Sequence, residues 1–311
     1  MSIPRIEKPI FMIGMPRSGT TAISEAISLH RDLGWFSNYL GRVPFLPHLT
    51  LLDRITSHPS YGWRLRGKKS QSKSVASFLR RFLPHTDEAF PIWDRCCGDK
   101  FLWEYLIGQT ATETEKNCIS KYMLRVLRYQ KKRRFFTKLT GPPRICYLSS
   151  IFPDAYFVHV IRDPRGVISS LKNVYFWKVG KGPAELWWKN GMPKEYIQEL
   201  EDCGKSPAAL GAMQWKRVVE LTWEERLLLP PEQFIEIRYE DFVQDPYSIL
   251  RDVFKFLELD DSVEAHQYLS TFGDIRNMNY KFCENLTAEE IGVIERITAH
   301  TAHEAGYIFE Q

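Results

Sequence analysis

Gly14 and Gly19 bracket Met15, Pro16, Arg17 and Ser18, and Thr20 and Thr21 follow at once. The apolar run 9–13 precedes them, so the segment reads as strand, tight loop and helix start. That order aims several backbone N–H groups and a helix N-terminus at one point, which makes an anion site, usually for phosphate. The glycines have the spacing of a nucleotide phosphate loop, Gly-x-x-x-x-Gly-Lys-Ser/Thr, but Thr20 stands in the lysine position. Arg17 gives the loop a cation of its own. The chemistry implied is the holding of a phosphate-bearing donor other than an ordinary triphosphate. A glycine-bracketed turn can also serve only to bend the backbone tightly.

A second segment narrows the choice. Tyr156-Phe157-Val158-His159-Val160-Ile161 reads as another apolar strand, running into Arg162-Asp163-Pro164-Arg165-Gly166. Asp163 suits an N-cap and Pro164 a first helical turn. Val167, Ile168, Leu171, Val174 and Tyr175 then recur with a helical period. Arg162 thus sits at the C-terminal edge of a strand, where open parallel sheets bind ligands, and Ser170 two turns into the next helix. Taken alone, Arg162 and Asp163 also read as a surface ion pair.

Pro16-Arg17-Ser18-Gly19-Thr20-Thr21 resembles the 5′-phosphosulfate loop of the bacterial-type, P-loop sulfotransferases that use 3′-phosphoadenosine 5′-phosphosulfate (PAPS). Arg162 and Ser170 resemble that family's grip on the 3′-phosphate, which separates PAPS from ATP. The strand 133–138 resembles the one that delivers a lysine, here Lys138, beside the sulfonate. Tyr239, ending Gln233–Tyr239 (QFIEIRY), resembles the tyrosine lying against the nucleotide, and Glu240-Asp241-Phe242 follows it. Lys281, in Asn277-Met278-Asn279-Tyr280-Lys281-Phe282, resembles the lysine that closes over the donor. The resemblance runs from residue 8 to about 307 and is weakest over 40–131.

Sulfuryl transfer needs in-line positioning and stabilisation of charge on the departing phosphate more than covalent help. Backbone N–H groups after Gly14, with Arg17 and Lys138, would supply it. The sulfonate carries less charge than a terminal phosphate, so no metal is expected. PAPS is the donor substrate and adenosine 3′,5′-bisphosphate (PAP) the product. The acceptor hydroxyl or amine needs a base within hydrogen-bond reach. Glu88-Ala89 with Trp93 resembles an acceptor-side motif in which a glutamate faces the transferred group. His85 offers the side chain that titrates nearest neutrality. Some members carry a glutamate after the second strand; this chain reads Leu33-Gly34-Trp35-Phe36-Ser37-Asn38-Tyr39 there, which moves the assignment to Glu88.

These residues need a scaffold, and the chain of 311 residues is long enough to bury one large core. Alternating patterns predict an α/β fold with a P-loop-type parallel five-stranded sheet and helices on both faces. Strands are expected near 9–14, 33–38, 133–139, 156–162 and 233–239. Helices are expected near 20–30, 164–178, 208–228, 246–258 and 288–305, the last opened by a Thr287/Glu290 capping box and closed at Gly306. A single domain, 1–311, is predicted, with a helical and loop insertion at 40–131 on the acceptor side.

Composition adds limits. The first charge, Arg5, and a strand by about residue 9 leave no room for a signal peptide, and no apolar run would span a membrane. The six scattered cysteines show no zinc spacing and are expected as free thiols in the cytoplasm. A net charge of +4 does not call for a nucleic-acid partner. The basic tracts Arg64, Arg66, Lys68, Lys69, Lys73, Arg80, Arg81 and Lys131-Lys132-Arg133-Arg134 read as solvated ends or as a flap that steers an anion. Trp177, Trp187, Trp188, Trp215 and Trp223, with Tyr175 and Phe176, are core or groove residues, those near 175–188 placed to wall an apolar or sugar acceptor. The acceptor is a small molecule, a carbohydrate or a lipid. Two other functions remain open. A P-loop kinase would use Asp163 as its metal-binding aspartate, and a non-catalytic anion-binding protein would keep the fold without turnover.

Overall fold

In the computed structural model, residues 5–66, 82–175, 177, 184–272 and 277–309 are described. Five strands form one sheet: β1 (Ile10–Gly14), β2 (Leu33–Trp35), β3 (Arg134–Thr140), β4 (Tyr156–Ile161) and β5 (Phe234–Arg238). Their order is β2-β3-β1-β4-β5, and every neighbouring pair is parallel. Parallel strands covered on both faces read as apolar on both, as β1, β2 and, His159 apart, β4 do. Phe11 and Ile13 of β1, with Phe135, Leu139 and Phe157, pack on one side against Ile92, Trp93, Ile119, Met123 and Val126. Ile10 and Met12, with Phe136, Val158 and Val160, pack on the other against Ile23, Ala26, Ile27, Leu250 and Val253. Each such side chain contributes roughly 1.5–3 kcal/mol when fully buried.

β1 lies mid-sheet, so its C-terminal end opens between β3 and β4. Gly14 makes that position possible: a Cβ there would stand 2.4 Å from the Val160 carbonyl oxygen. Helix α1 (Thr20–Ile27) leaves the loop directly. Residues 38–66 form short helical turns. Helix α2 (Phe90–Cys97) and helix α3 (Glu113–Gln130), the latter opened by a Thr112/Glu115 capping box, cover one face of the sheet. Helix α4 (Ile145–Ile151) follows β3, and helix α5 (Pro164–Leu171) follows β4, N-capped by Asp163 and with Pro164 in its first turn. Helix α6 (Pro207–Arg226) packs along helix α8 (Ala288–Glu304), and the short helix α7 (Tyr239–Gln244) leaves β5. Thr287 and Glu290 form the expected capping box, and Gly306 follows with a left-handed φ of 78°.

Three expectations are corrected. Cys96 of α2 and Cys118 of α3 form a disulfide, because two helices adjacent in space bring together residues 22 apart. Cys97, Cys146, Cys203 and Cys283 are free. Among the described residues of the basic tracts, Arg66, Lys132 and Arg134 are engaged with the rest of the fold. Arg66 pairs with buried Glu25, Arg134 donates to the carbonyls of Lys8 and Leu257, and Lys132 Nζ donates to the Arg31 carbonyl at 2.7 Å. Arg64 and Arg133 are exposed, while Lys68, Lys69, Lys73, Arg80 and Arg81 lie outside the described residues. The second strand stops at Trp35, and helix α5 is assigned to Leu171, with Phe176 and residue 178 outside the described residues. Among the described residues no helix is long and apolar enough to cross a membrane.

Candidate active site

The loop after β1 is wound tightly. Arg17 and Gly19 both have left-handed backbones, φ 76° and 84°. For arginine that conformation is costly and marks a site where the surroundings over-determine it. A Cβ on Gly19 would meet the Tyr239 ring at 2.3 Å, so the bare glycine lets that ring lie on the loop. Ser18 is fully buried and its Oγ has no hydrogen-bond partner among the described residues.

Two clefts meet at this loop. The first, about 740 Å³, runs over Arg17, Gly19, Thr20, Thr21, Arg162, Ser170, Tyr239 and Lys281. Arg17 Nε donates to Ser170 Oγ at 2.9 Å, and Arg162 Nη1 donates to the Arg17 carbonyl at 2.9 Å. The Arg162 guanidinium lies 4.3 Å above the centre of the Tyr239 ring. Burial lowers the pKa of both arginines from the ordinary value; for Arg162, Tyr239, Glu240 and Asp163 pull the other way. Neither forms an ion pair among the described residues, so two partly desolvated cations lack a carboxylate and present an anion site.

The second cleft, about 380 Å³, also touches Arg17, Thr20 and Thr21. Its polar end holds Glu88, Lys138, Thr140 and Arg144; its walls are Met15, Phe90, Leu102, Trp103, Leu171, Trp177, Trp187 and Trp188. Trp177 and Trp187 stack at 5.8 Å, and Trp103 and Trp187 at 6.1 Å. Lys138 Nζ sits 3.3 Å from Glu88 Oε1 and donates to Thr21 Oγ1 at 3.4 Å. Thr140 Oγ1 donates to the Glu88 carboxylate at 3.0 Å. Arg144 is buried, donates from Nη1 to the Pro142 carbonyl at 2.8 Å, and is pulled down to about 10 by burial.

Glu88 reaches this end of the sheet from far along the chain. Residues 84–88 are pinned beside the continuation of β2: Asn38 N–H donates to the His85 carbonyl at 3.0 Å, and Asp87 N–H to the Phe36 carbonyl at 2.9 Å. Ala89, φ 50°, then turns the chain into α2, its N–H held by Asp87 Oδ1 at 2.7 Å. His85 sits on the same segment but is exposed and does not line the cleft, its ring nitrogen turned to the Leu83 carbonyl. Asp163 is occupied by Arg165 at 2.8 Å rather than by Arg162, so neither the surface-pair reading nor the metal-binding reading describes it.

The profile of the sulfotransferase family matches residues 9–263. The chain belongs to the sulfotransferase family, and with it to the PAPS-dependent enzymes. It is 23% identical to the omega-hydroxy-beta-dihydromenaquinone-9 sulfotransferase Stf3 of Mycobacterium tuberculosis (strain CDC 1551 / Oshkosh), over 329 aligned positions, 97% of this chain and 76% of that protein. The crystal structure of sulfotransferase STF9 from Mycobacterium avium shares its fold with a TM-score of 0.58 at 18% identity, over 99% of this chain and 78% of that one. That of sulfotransferase STF1 from Mycobacterium tuberculosis H37Rv gives 0.51 at 18% identity, over 95% and 77%. The open kinase reading is thereby set aside.

Within this sulfotransferase the structure brings Arg17, Gly19, Thr20, Thr21, Arg162, Ser170, Tyr239 and Lys281 into one cleft and Glu88 with Lys138 into the next. Sequence reasoning gave no role to Thr140 or Asn279. Thr140 was findable, since it stands two residues after Lys138 and therefore on the same face of β3. Asn279 carried no local signal. Among the described residues no group of three or more His, Cys, Asp or Glu is placed to hold a metal ion.

Proposed function

We propose that this enzyme transfers a sulfonate from PAPS, held in the larger cleft, to the hydroxyl of an apolar acceptor in the tryptophan-walled cleft. The convergence of Arg17, Lys138 and Glu88 where the clefts meet carries this reading. Arg162, Ser170 and Lys281 take the 3′-phosphate end, Tyr239 the nucleotide, and Arg17 to Thr21 the 5′-phosphosulfate. The buried Ser18 hydroxyl without a partner and the two unpaired arginines fit such an anionic guest.

Bound PAPS supplies the sulfonate and a phosphate leaving group. Glu88 takes the proton of the acceptor hydroxyl, and Thr140 fixes its carboxylate. Lys138 and Arg17, with the loop N–H groups, stabilise charge building on the departing 5′-phosphate. Segment 40–131 contributes Glu88, Phe90, Leu102 and Trp103 and forms the acceptor side. The aromatic walls favour a hydroxyl carried on an apolar body over a sugar, in keeping with the hydroxylated menaquinone for which the mycobacterial relative is named.

Two measurements test this. PAP at 100 times its dissociation constant should add roughly 2.7 kcal/mol of stability, and ADP far less. Equal melting shifts with both nucleotides would sink the 3′-phosphate assignment. Incubation with ³⁵S-labelled PAPS and a panel of alcohols, phenols, amines, sugars and lipids should label an apolar alcohol. Labelling of sugars alone contradicts the acceptor class.

A further inference from the structure

Glu240 follows Tyr239 in the sequence, and Asn279 lies two residues before Lys281, yet neither is among the residues lining the donor cleft. The two side chains meet. Asn279 Nδ2 donates to Glu240 Oε1 at 2.6 Å, and Asn279 Oδ1 accepts from Arg162 Nε at 2.8 Å. Glu240 is held in turn by the Asp163 N–H at 3.2 Å and by the Tyr307 hydroxyl, which donates to Oε2 at 2.9 Å. A carboxamide suits this place because one of its ends accepts and the other donates, so it can join a guanidinium to a carboxylate. The backbone makes room for it. A Cβ on Gly166 would stand 2.5 Å from Asn279 Oδ1 and 3.2 Å from Arg162 Nε, so only glycine permits the contact.

Arg162 therefore has Nε committed to Asn279 and Nη1 to the Arg17 carbonyl, while Nη2 makes no hydrogen bond among the described residues. The same amide ties down the turn 279–281 that carries Lys281.

We propose that Asn279 and Glu240 are positioning residues that latch the Lys281 turn to Arg162 and so set the enzyme's selectivity for a 3′-phosphorylated nucleotide. The proposal rests on the assignment of Arg162 and Lys281 to the 3′-phosphate. Without the latch, Arg162 is held only by the Arg17 carbonyl and the Tyr239 ring, and Lys281 leaves with its turn. The nucleotide's 5′ end, held by the loop after β1, is untouched.

The test measures dissociation constants of PAP and ADP by calorimetry for wild type, Asn279→Ala and Glu240→Gln, with melting curves as a check on folding. Either variant should weaken PAP by about tenfold or more and leave ADP within about twofold, the cost of a lost charge-assisted contact. The Michaelis constant for the acceptor should not move. A variant that weakens both nucleotides equally, or neither, overturns the latch. Wild-type enzyme that does not prefer PAP to ADP overturns instead the 3′-phosphate assignment beneath it. Glu240→Gln keeps size and one acceptor oxygen, so it remains informative if Asn279→Ala fails to fold.

Discussion

Glu88 and Lys138 stand 3.3 Å apart, and Thr140 donates to the same carboxylate at 3.0 Å. A cation and a base held this close divide their labour by where charge appears in the reaction. In the proposed reaction the proton leaves the acceptor toward Glu88, while Lys138 answers the charge on the leaving side. Glu88→Gln preserves size and hydrogen bonding but cannot take a proton. It should lower kcat for an alcohol by roughly 10²-fold or more and leave PAP affinity nearly intact. A phenol, easier to deprotonate, should suffer less. His85→Asn on the same assay should be close to silent, since that ring lies outside the cleft. Loss of turnover in His85→Asn with a silent Glu88→Gln reverses the assignment. Lys138→Ala should lower kcat, and a change confined to the donor KM removes its catalytic role.

At the scale of elements, the legible parts were those whose function is local in sequence. A strand end followed by a loop or a capped helix places Arg17 or Arg162 without help from the rest of the chain. Glu88 is different: its position depends on residues 84–88 lying beside the continuation of β2, a pairing across about 50 residues that no local pattern announces. The same holds for Cys96 and Cys118, which lie on two helices that cover the same sheet face behind Glu88. Closing a loop of this length restricts the unfolded chain by about 3 kcal/mol. Denatured, unreduced protein should titrate four thiols, and reduction should lower the unfolding free energy by about that amount. Six thiols before reduction would contradict the bond.

Over the whole molecule, the five-strand parallel architecture was legible because apolar runs and capping signals alternate along the chain. The interior placement of charged groups was not, because burial depends on which surfaces meet. Asp53 shows the consequence. It is fully buried, Gln130 Nε2 donates to its Oδ2 at 2.6 Å, and Oδ1 has no partner among the described residues. Burial pushes its carboxyl up to about 7, against the pull of Gln130, Ser37 and Arg66. A carboxyl raised in the folded state binds its proton more tightly there than in the unfolded chain. Its contribution to stability is therefore fully present below about pH 4 and is lost as pH rises toward 7. Glu225, also raised by burial to about 7, acts in the same direction, while His30, lowered by burial, acts oppositely. The wild-type curve thus mixes opposing slopes, and Asp53→Asn isolates one of them. Asparagine keeps an acceptor for Gln130 and has no charge to bury. The melting temperature of D53N, measured against wild type, should gain by about 3 °C or more between pH 5 and pH 8. A difference that stays constant across that range would show that Asp53 does not titrate there.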